Sequence, residues 1–219
     1  MVILFAGTDT TASTLAAIMY HMLADRSALG RLKAELEAAM PDPQKLPDAS
    51  KLDKLPYLNA VIHEALRLYP GATHRQDRAA PEEDLVYRDV KSGRVFVIPA
   101  GTGLGMAAPI VNRNPAIYHH PNEFLPDRYI EDPKLSRHLI SFSKGARQCL
   151  GMHLAYQEMQ TFTAGIFRQY GVYDHSKPTQ SGPTLELYKT DVRDISMYAD
   201  YVTPAPFEGS KGLRVVIRQ

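Results

Sequence analysis

The stretch Phe142-Ser143-Lys144-Gly145-Ala146-Arg147-Gln148-Cys149-Leu150-Gly151 contains the only cysteine among 219 residues. A helical pattern follows it, from about Leu150 to Tyr170. A thiol becomes a thiolate at neutral pH where positive charge helps it, and N–H groups at a helix start or a metal ion supply that charge. Gly145 and Gly151 let the backbone approach a flat ligand with no Cβ between. Arg147 could pair with an anionic group on the same ligand. A lone thiol is most often a buried structural cysteine, and only the crowded glycines and arginine argue otherwise. Zinc is a poorer reading. Cys149 and His153 could share a helix face, but about two more ligands are needed, and the adjacent pair His119 and His120 rarely both turn inward.

Working outward, residues Val2 to Leu23 read as a helix, apolar nearly all round and so expected to be buried. Gly7-Thr8-Asp9-Thr10-Thr11 inside it favours caps and turns, which marks a local weakness. Further helices are expected over Ser27 to Met40 and Leu55 to Tyr69, the latter started near Pro56 and stopped by Pro70-Gly71. Leu85 to Pro99 turns strand-like around Ser92-Gly93. Thr102 to Asn112 reads as a short helix, Pro115 to Pro133 as a loop, Lys177 to Pro183 as turns, and Thr184 to Tyr188 and Leu213 to Ile217 as strands.

Composition narrows the function classes. With 25 basic and 24 acidic residues the net charge is +1, which gives no case for a nucleic-acid partner. One cysteine excludes an intrachain disulfide framework. No apolar run reaches membrane-spanning length, and Met1 to Phe5 lacks the features of a secretory signal. Gly101-Thr-Gly103-Leu-Gly105 is a poor dinucleotide fingerprint, because its third glycine is misplaced. Nothing in the sequence brings Glu64 and Asp9 together as paired carboxylates.

The segment from Phe142 to Gly151 resembles the haem-binding signature of cytochrome P450 enzymes, with Phe142, Gly145, Arg147, Cys149 and Gly151 all in place. Three more segments are similar to that family in its order. They are Ala6-Gly7-Thr8-Asp9-Thr10-Thr11, Glu64-Ala-Leu-Arg67, and Pro121-Asn-Glu-Phe124-Leu-Pro126-Asp-Arg128-Tyr129. The resemblance implies a mainly α fold with small β-sheets, the C-terminal portion of the cytochrome P450 fold. Residues 1–219 are then one partial domain, from the middle of the central oxygen-activating helix to the C-terminus, with the N-terminal half absent. The flavour is that of a fungal, microsomal-type enzyme of secondary metabolism.

The same resemblance assigns roles. Cys149 is the axial thiolate ligand of haem b, and its electron density favours O–O cleavage. Arg147 and Arg78 bind the propionates; Arg78 is favoured by its distance from Arg67, and Arg75 falls on the substrate side. Phe142, Gly145 and Gly151 shape the ligand loop, and Ala6 and Gly7 leave room over the haem. Asp9 and Thr10 are the catalytic acid–alcohol pair, Thr10 holding a water and Asp9 relaying protons. Glu64, Arg67 and Arg128 form a structural network behind the loop. Gly71 to His74 and Thr203 to Phe207 reach the substrate pocket. The implied activity is a haem-thiolate monooxygenase inserting one atom of O2 into a small lipophilic substrate. Its electrons come from NADPH–cytochrome P450 reductase. The alternative is a truncated, non-catalytic remnant that binds haem weakly, since a pocket without its roof leaves one side exposed. The full-length relative is placed on the cytosolic face of the endoplasmic reticulum membrane, held by an N-terminal anchor absent here, and this chain in the cytoplasm.

Overall fold

A computed structural model describes residues 2–177 and 179–218. Met1 of the apolar start, Pro178 of the expected turn and Gln219 lie outside the described residues. The chain opens with α1 (Val2–Ala24) and α2 (Arg26–Ala39), followed by a single turn, α3 (Ala49–Leu52), and by α4 (Pro56–Leu68). Late in the chain comes α7 (Met152–Gln169). These helices share one core, in which Ile18, Met22, Leu32, Leu36, Leu58, Ile62, Met159 and Phe167 are at most 1 % exposed.

Local chemistry explains the helix boundaries. Asp25 caps α2, its carboxylate accepting from the backbone N–H of Ser27 at 2.8 Å and of Ala28 at 3.1 Å. Buried Ala28, Leu29, Leu32, Leu36 and Ala39 then recur at helical spacing. The cap of α4 comes from another helix. Leu55 offers no side-chain acceptor and Pro56 has no N–H, so Glu35 on α2 supplies both carboxylate oxygens, to Tyr57 N and Leu58 N at 2.8 Å each. That contact fixes α4 against α2 as well as capping it.

Between α4 and α7 the chain forms β1 (Gln76–Arg78), β2 (Leu85–Arg88), β3 (Val95–Ile98), β4 (Leu104–Met106), α5 (Ala108–Val111) and α6 (Asp127–Glu131). After α7 come β5 (Gly171–Val172), β6 (Thr184–Leu187), β7 (Ala199–Tyr201), β8 (Thr203–Ala205) and β9 (Val215–Arg218). β1 pairs with β4, β2 with β3 and β7 with β8, each antiparallel, and β5-β6-β9 form a three-stranded sheet.

The expectation of a mainly α fold, and of a C-terminal portion only, is corrected. The described chain is a mixed α/β structure, with helices and small sheets running from Val2 to Arg218 around a common core. β1, β4, β7 and β8 are three residues each, too short for an alternating pattern to declare them. The helix expected over Thr102 to Asn112 is accordingly β4 followed by α5, and the loop expected over Pro115 to Pro133 contains α6. Burial of the first helix is half right: Ala6 to Asp9 are exposed, while Ala17, Ile18, Met19, Met22 and Leu23 are buried. No helix among the described residues is long and apolar enough to cross a membrane.

Candidate functional site

The cysteine loop is a series of tight turns. Ser143 and Gly145 both take positive φ, 61° and 71°. Only glycine adopts such a value at no steric cost, which accounts for Gly145. A single 3-10 turn covers Gly145–Arg147, and the amide of Cys149 donates back to the carbonyl of Phe142 at 2.9 Å. Gly151 is the N-cap of α7, and a Cβ placed there would sit 4.0 Å from the Cys149 sulfur. The thiol is exposed, and it faces an open cavity of ≈ 420 Å³.

Three parts of the chain line that cavity. The cysteine loop contributes Ser141, Phe142, Ser143, Arg147 and Cys149, backed by Ala155 and Met159 of α7. The α1 face contributes Ala6, Thr10, Thr11 and Thr14. The end of α4 and the segment after it contribute Leu66, Gly71, Ala72, Gln76 and Arg78. Of the expected site residues, Ala6, Thr10, Arg78, Phe142, Arg147 and Cys149 are thus brought together. Asp9 and Gly7 are exposed on α1 outside this lining, and Gly145 and Gly151 shape the loop without lining the cavity. The two competing arginines part company. Arg78 donates to Ser143 Oγ at 2.7 Å on the cavity side. Arg75 pairs with Asp77 at 2.7 Å, its stem lying where a Cβ on Gly105 would go.

The weak segment of α1 does not break the helix. Its polar side chains bond back along it instead. The Thr10 hydroxyl donates to the Ala6 carbonyl at 2.7 Å, so its oxygen lone pairs are left to accept. The Thr10 carbonyl receives the hydroxyls of Ser13 at 3.0 Å and Thr14 at 3.2 Å. Gly71 presses on this point: a Cβ there would lie 2.6 Å from Thr10 Cβ and 2.7 Å from Thr10 Cα.

Behind the loop, Glu64, Arg67 and Arg128 are joined in one hydrogen-bonded network. Arg67 is fully buried and uses all five of its N–H groups. Two go to Glu64 at 2.7 Å each, and the others to the carbonyls of Asn112 (3.0 Å), Pro121 (2.6 Å) and Glu123 (2.9 Å). Arg128 donates to Glu64 at 3.1 Å and to the carbonyls of His119 and His120 at 2.6 and 3.1 Å. Asn112, which sequence reasoning missed, carries this network to the loop. Its amide donates to Ser141 Oγ at 2.9 Å, and Ser141 donates to the Leu66 carbonyl at 2.7 Å. No local sequence signal marks Asn112, because its side-chain and carbonyl partners come from two distant segments, Arg67 and Ile140-Ser141.

Asp200 was also missed. It accepts from Thr73 Oγ1 at 2.8 Å and Val202 N at 2.9 Å, and meets His74 Nδ1 at 3.2 Å. The Thr73 amide donates to the Val202 carbonyl at 3.0 Å. Thr73's hydroxyl, with lesser help from His74, holds the Asp200 carboxyl below its usual range. The hairpin β7–β8 is thereby fastened to the segment that follows α4. Its tip residue Val202 takes φ 77°, a costly value for a β-branched residue.

The donor set fits a haem. Among the described residues, no three His, Cys, Asp or Glu side chains gather to hold a metal ion directly, so a metal at Cys149 takes its other ligands from elsewhere, as a porphyrin provides. One thiol faces the cavity, two guanidiniums stand ready for two carboxylates, and Ala6, Leu66, Phe142, Ala155 and Met159 offer apolar contact. Cβ positions on Gly7 and Gly145 meet nothing within 4 Å.

The family model "Cytochrome P450" matches residues 1–190. The chain is 43 % identical to the cytochrome P450 monooxygenase astB of Talaromyces wortmannii over 98 % of this chain and 44 % of the relative. It is 38 % identical to the fusicoccadiene C-8 hydroxylase of Phomopsis amygdali over 99 % of this chain and 38 % of the relative. The N-acetyltryptophan 6-hydroxylase ivoC of Emericella nidulans is 39 % identical over 98 % of this chain and 39 % of the relative. The chain therefore spans about two fifths of the length of these relatives. The expectation of a truncated C-terminal part with its N-terminal half absent is corrected: the similarity runs through 98–99 % of the chain, so nearly all of it is matched by sequence of this kind.

Proposed function

Since the chain belongs to the cytochrome P450 family, we propose that it supplies a haem-thiolate monooxygenase site hydroxylating a small lipophilic molecule of fungal secondary metabolism. The observation that carries this reading is the convergence on one cavity of the lone thiol, Arg78, Arg147 and the Thr10 face of α1. Two of the relatives are hydroxylases by name, of fusicoccadiene and of N-acetyltryptophan. Their different substrates leave hydroxylation as the common element.

Each residue has a task in this proposal. The Cys149 sulfur would hold the haem iron, and the Phe142–Cys149 turn keeps that sulfur at the cavity. Arg78 and Arg147 would pair with the two propionates, and Phe142, Met159 and Ala6, which line the same cavity, would pack on the apolar ring. The chemistry that a haem supplies is reductive activation of dioxygen, aided by the electron density of the thiolate. The Thr10 oxygen, its own proton committed to Ala6, accepts a hydrogen bond from water and so places a proton donor on the distal side. Exposed Asp9, one residue away, exchanges protons with solvent and feeds that water. Gly7 and Ala6 keep the distal space open, and Gly145 and Gly151 shape the ligand loop. Glu64, Arg67 and Arg128 hold that loop through Asn112 and Ser141. Electrons come from NADPH through a cytochrome P450 reductase.

Purified chain is incubated with haemin, reduced and exposed to CO. A thiolate-type Soret band that disappears in Cys149→Ala is the expected result. Folded chain that takes up no haem, or a band indifferent to Cys149→Ala, overturns the proposal.

A further inference from the structure

A second cavity lies between α4 and α6, and it shares no lining residue with the one at Cys149. Its volume is ≈ 230 Å³. Pro56, Asn59, Ala60 and His63 of α4 line it, with Tyr129 and Ile130 of α6 and Pro133 beyond. The four α4 residues follow one another at helical spacing, so they form a single stripe of that helix. The monooxygenase chemistry proposed above makes no use of this cavity.

Three of its lining side chains are polar, and two of them have nothing to offer a guest. Asn59 Nδ2 donates to the carbonyls of Asp53 at 2.9 Å and Leu55 at 2.8 Å, and its Oδ1 accepts from Gln160 Nε2 at 2.8 Å. The Tyr129 hydroxyl is fully buried, beyond the reach of a guest. His63 remains. Its half-buried ring is flanked by those of Tyr129, at 5.2 Å between centroids, and Tyr156, at 5.7 Å. Neither of its nitrogens has a hydrogen-bond partner among the described residues. The side-chain atoms there that are both buried and unpartnered are Tyr129 Oη, Thr163 Oγ1 and Arg214 Nε. The His63 nitrogens are not among them, so they reach open space, and this cavity is the space that His63 lines.

The chemistry of the walls selects the guest. Desolvation lowers the His63 pKa to about 4, so at pH 7 the ring is neutral and keeps one lone pair for an incoming O–H. No lining residue carries a fixed charge, and an ion entering would lose its hydration without a counter-charge. Two prolines, Ile130 and the Tyr129 ring give flat apolar contact. Drug-sized ligands take roughly 300–1,000 Å³, so this smaller space suits one or two fused rings. We propose that the cavity binds a small neutral phenol, its ring between Pro56, Ile130 and Pro133 and its hydroxyl donating to a His63 ring nitrogen. The site is independent of the haem reading.

The chain contains no tryptophan, so 2-naphthol can be excited beyond the tyrosine absorption and its polarisation followed as chain is added. Saturable binding is expected, with naphthalene competing about fivefold or more weakly because it has no proton for His63. His63→Phe keeps a ring and removes the acceptor, which lowers the affinity for 2-naphthol to that for naphthalene. Ile130→Ser, on a partly exposed wall, weakens both ligands, and circular dichroism confirms that each variant is folded. Three results overturn the proposal: no saturable binding, equal affinity of the unaltered chain for the two ligands, or a His63→Phe chain that still prefers 2-naphthol by the same factor. Should His63→Phe fail to fold, Ile130→Ser decides alone, and unchanged binding there overturns the proposal. None of these readings involves haem.

Discussion

At the scale of single residues, Arg67 and Cys149 mark two extremes of dependence on surroundings. Every N–H of Arg67 is matched by an acceptor arranged in one fork. A lysine there offers three donors from a point and strands several of those acceptors without water. Arg67→Lys is expected to cost about 3–5 kcal/mol in urea unfolding, the range for breaking a buried charge pair. Cys149 is exposed, and it is held through its backbone, its N–H donating to the Phe142 carbonyl and its carbonyl accepting from Met152 N. Cys149→Ser should therefore leave stability within about 0.5 kcal/mol while abolishing the thiolate spectrum. Gly71 stands between these extremes. A methyl group there would lie inside Thr10, so Gly71→Ala is expected to cost about 1–3 kcal/mol and to move α1 away from the cysteine loop. A melting curve and a haem titration would show both effects. The pattern around Cys149 drew attention to that residue and Arg147, whereas Glu64, Arg67 and Arg128 were singled out only by the family resemblance. Neither gave a hint of Asn112 or Asp200, whose importance lies wholly in what the fold places beside them.

Among the elements, the long helices were legible to within about two residues, because each carries apolar positions at helical spacing and a stop signal such as Pro70-Gly71. The short strands were not, since three residues give no period to read. The borrowed cap on α4 was equally invisible, because its carboxylate comes from Glu35, a helix away. Glu35→Ala leaves two N–H groups at a partly buried helix start without acceptors. We expect a loss of about 1–2 kcal/mol, read by denaturant titration, with Glu35→Gln recovering part of it.

Taken whole, the molecule half-buries two imidazoles. His21 stacks on Phe124 at 4.0 Å and meets the Tyr69 hydroxyl at 2.9 Å, and His63 packs between Tyr129 and Tyr156. Desolvation lowers both to about 4, with Asp25 opposing the effect at His21. A depressed histidine binds its proton in the unfolded chain first. Stability is thus fully present above pH 6.5 and is lost as pH falls towards 4, at about 1.4 kcal/mol per unit for each residue. The melting temperature is expected to drop over that interval, and to drop less in His63→Phe. The clasp between Thr73 and Asp200 has a consequence in time. A ribosome adding roughly 5–20 residues per second needs about 6–25 s to travel the 127 positions between them. For that interval the segment pressed against Thr10 has been made and its fastening has not, so the wall beside the α1 face is among the last parts of a nascent chain to be locked in place.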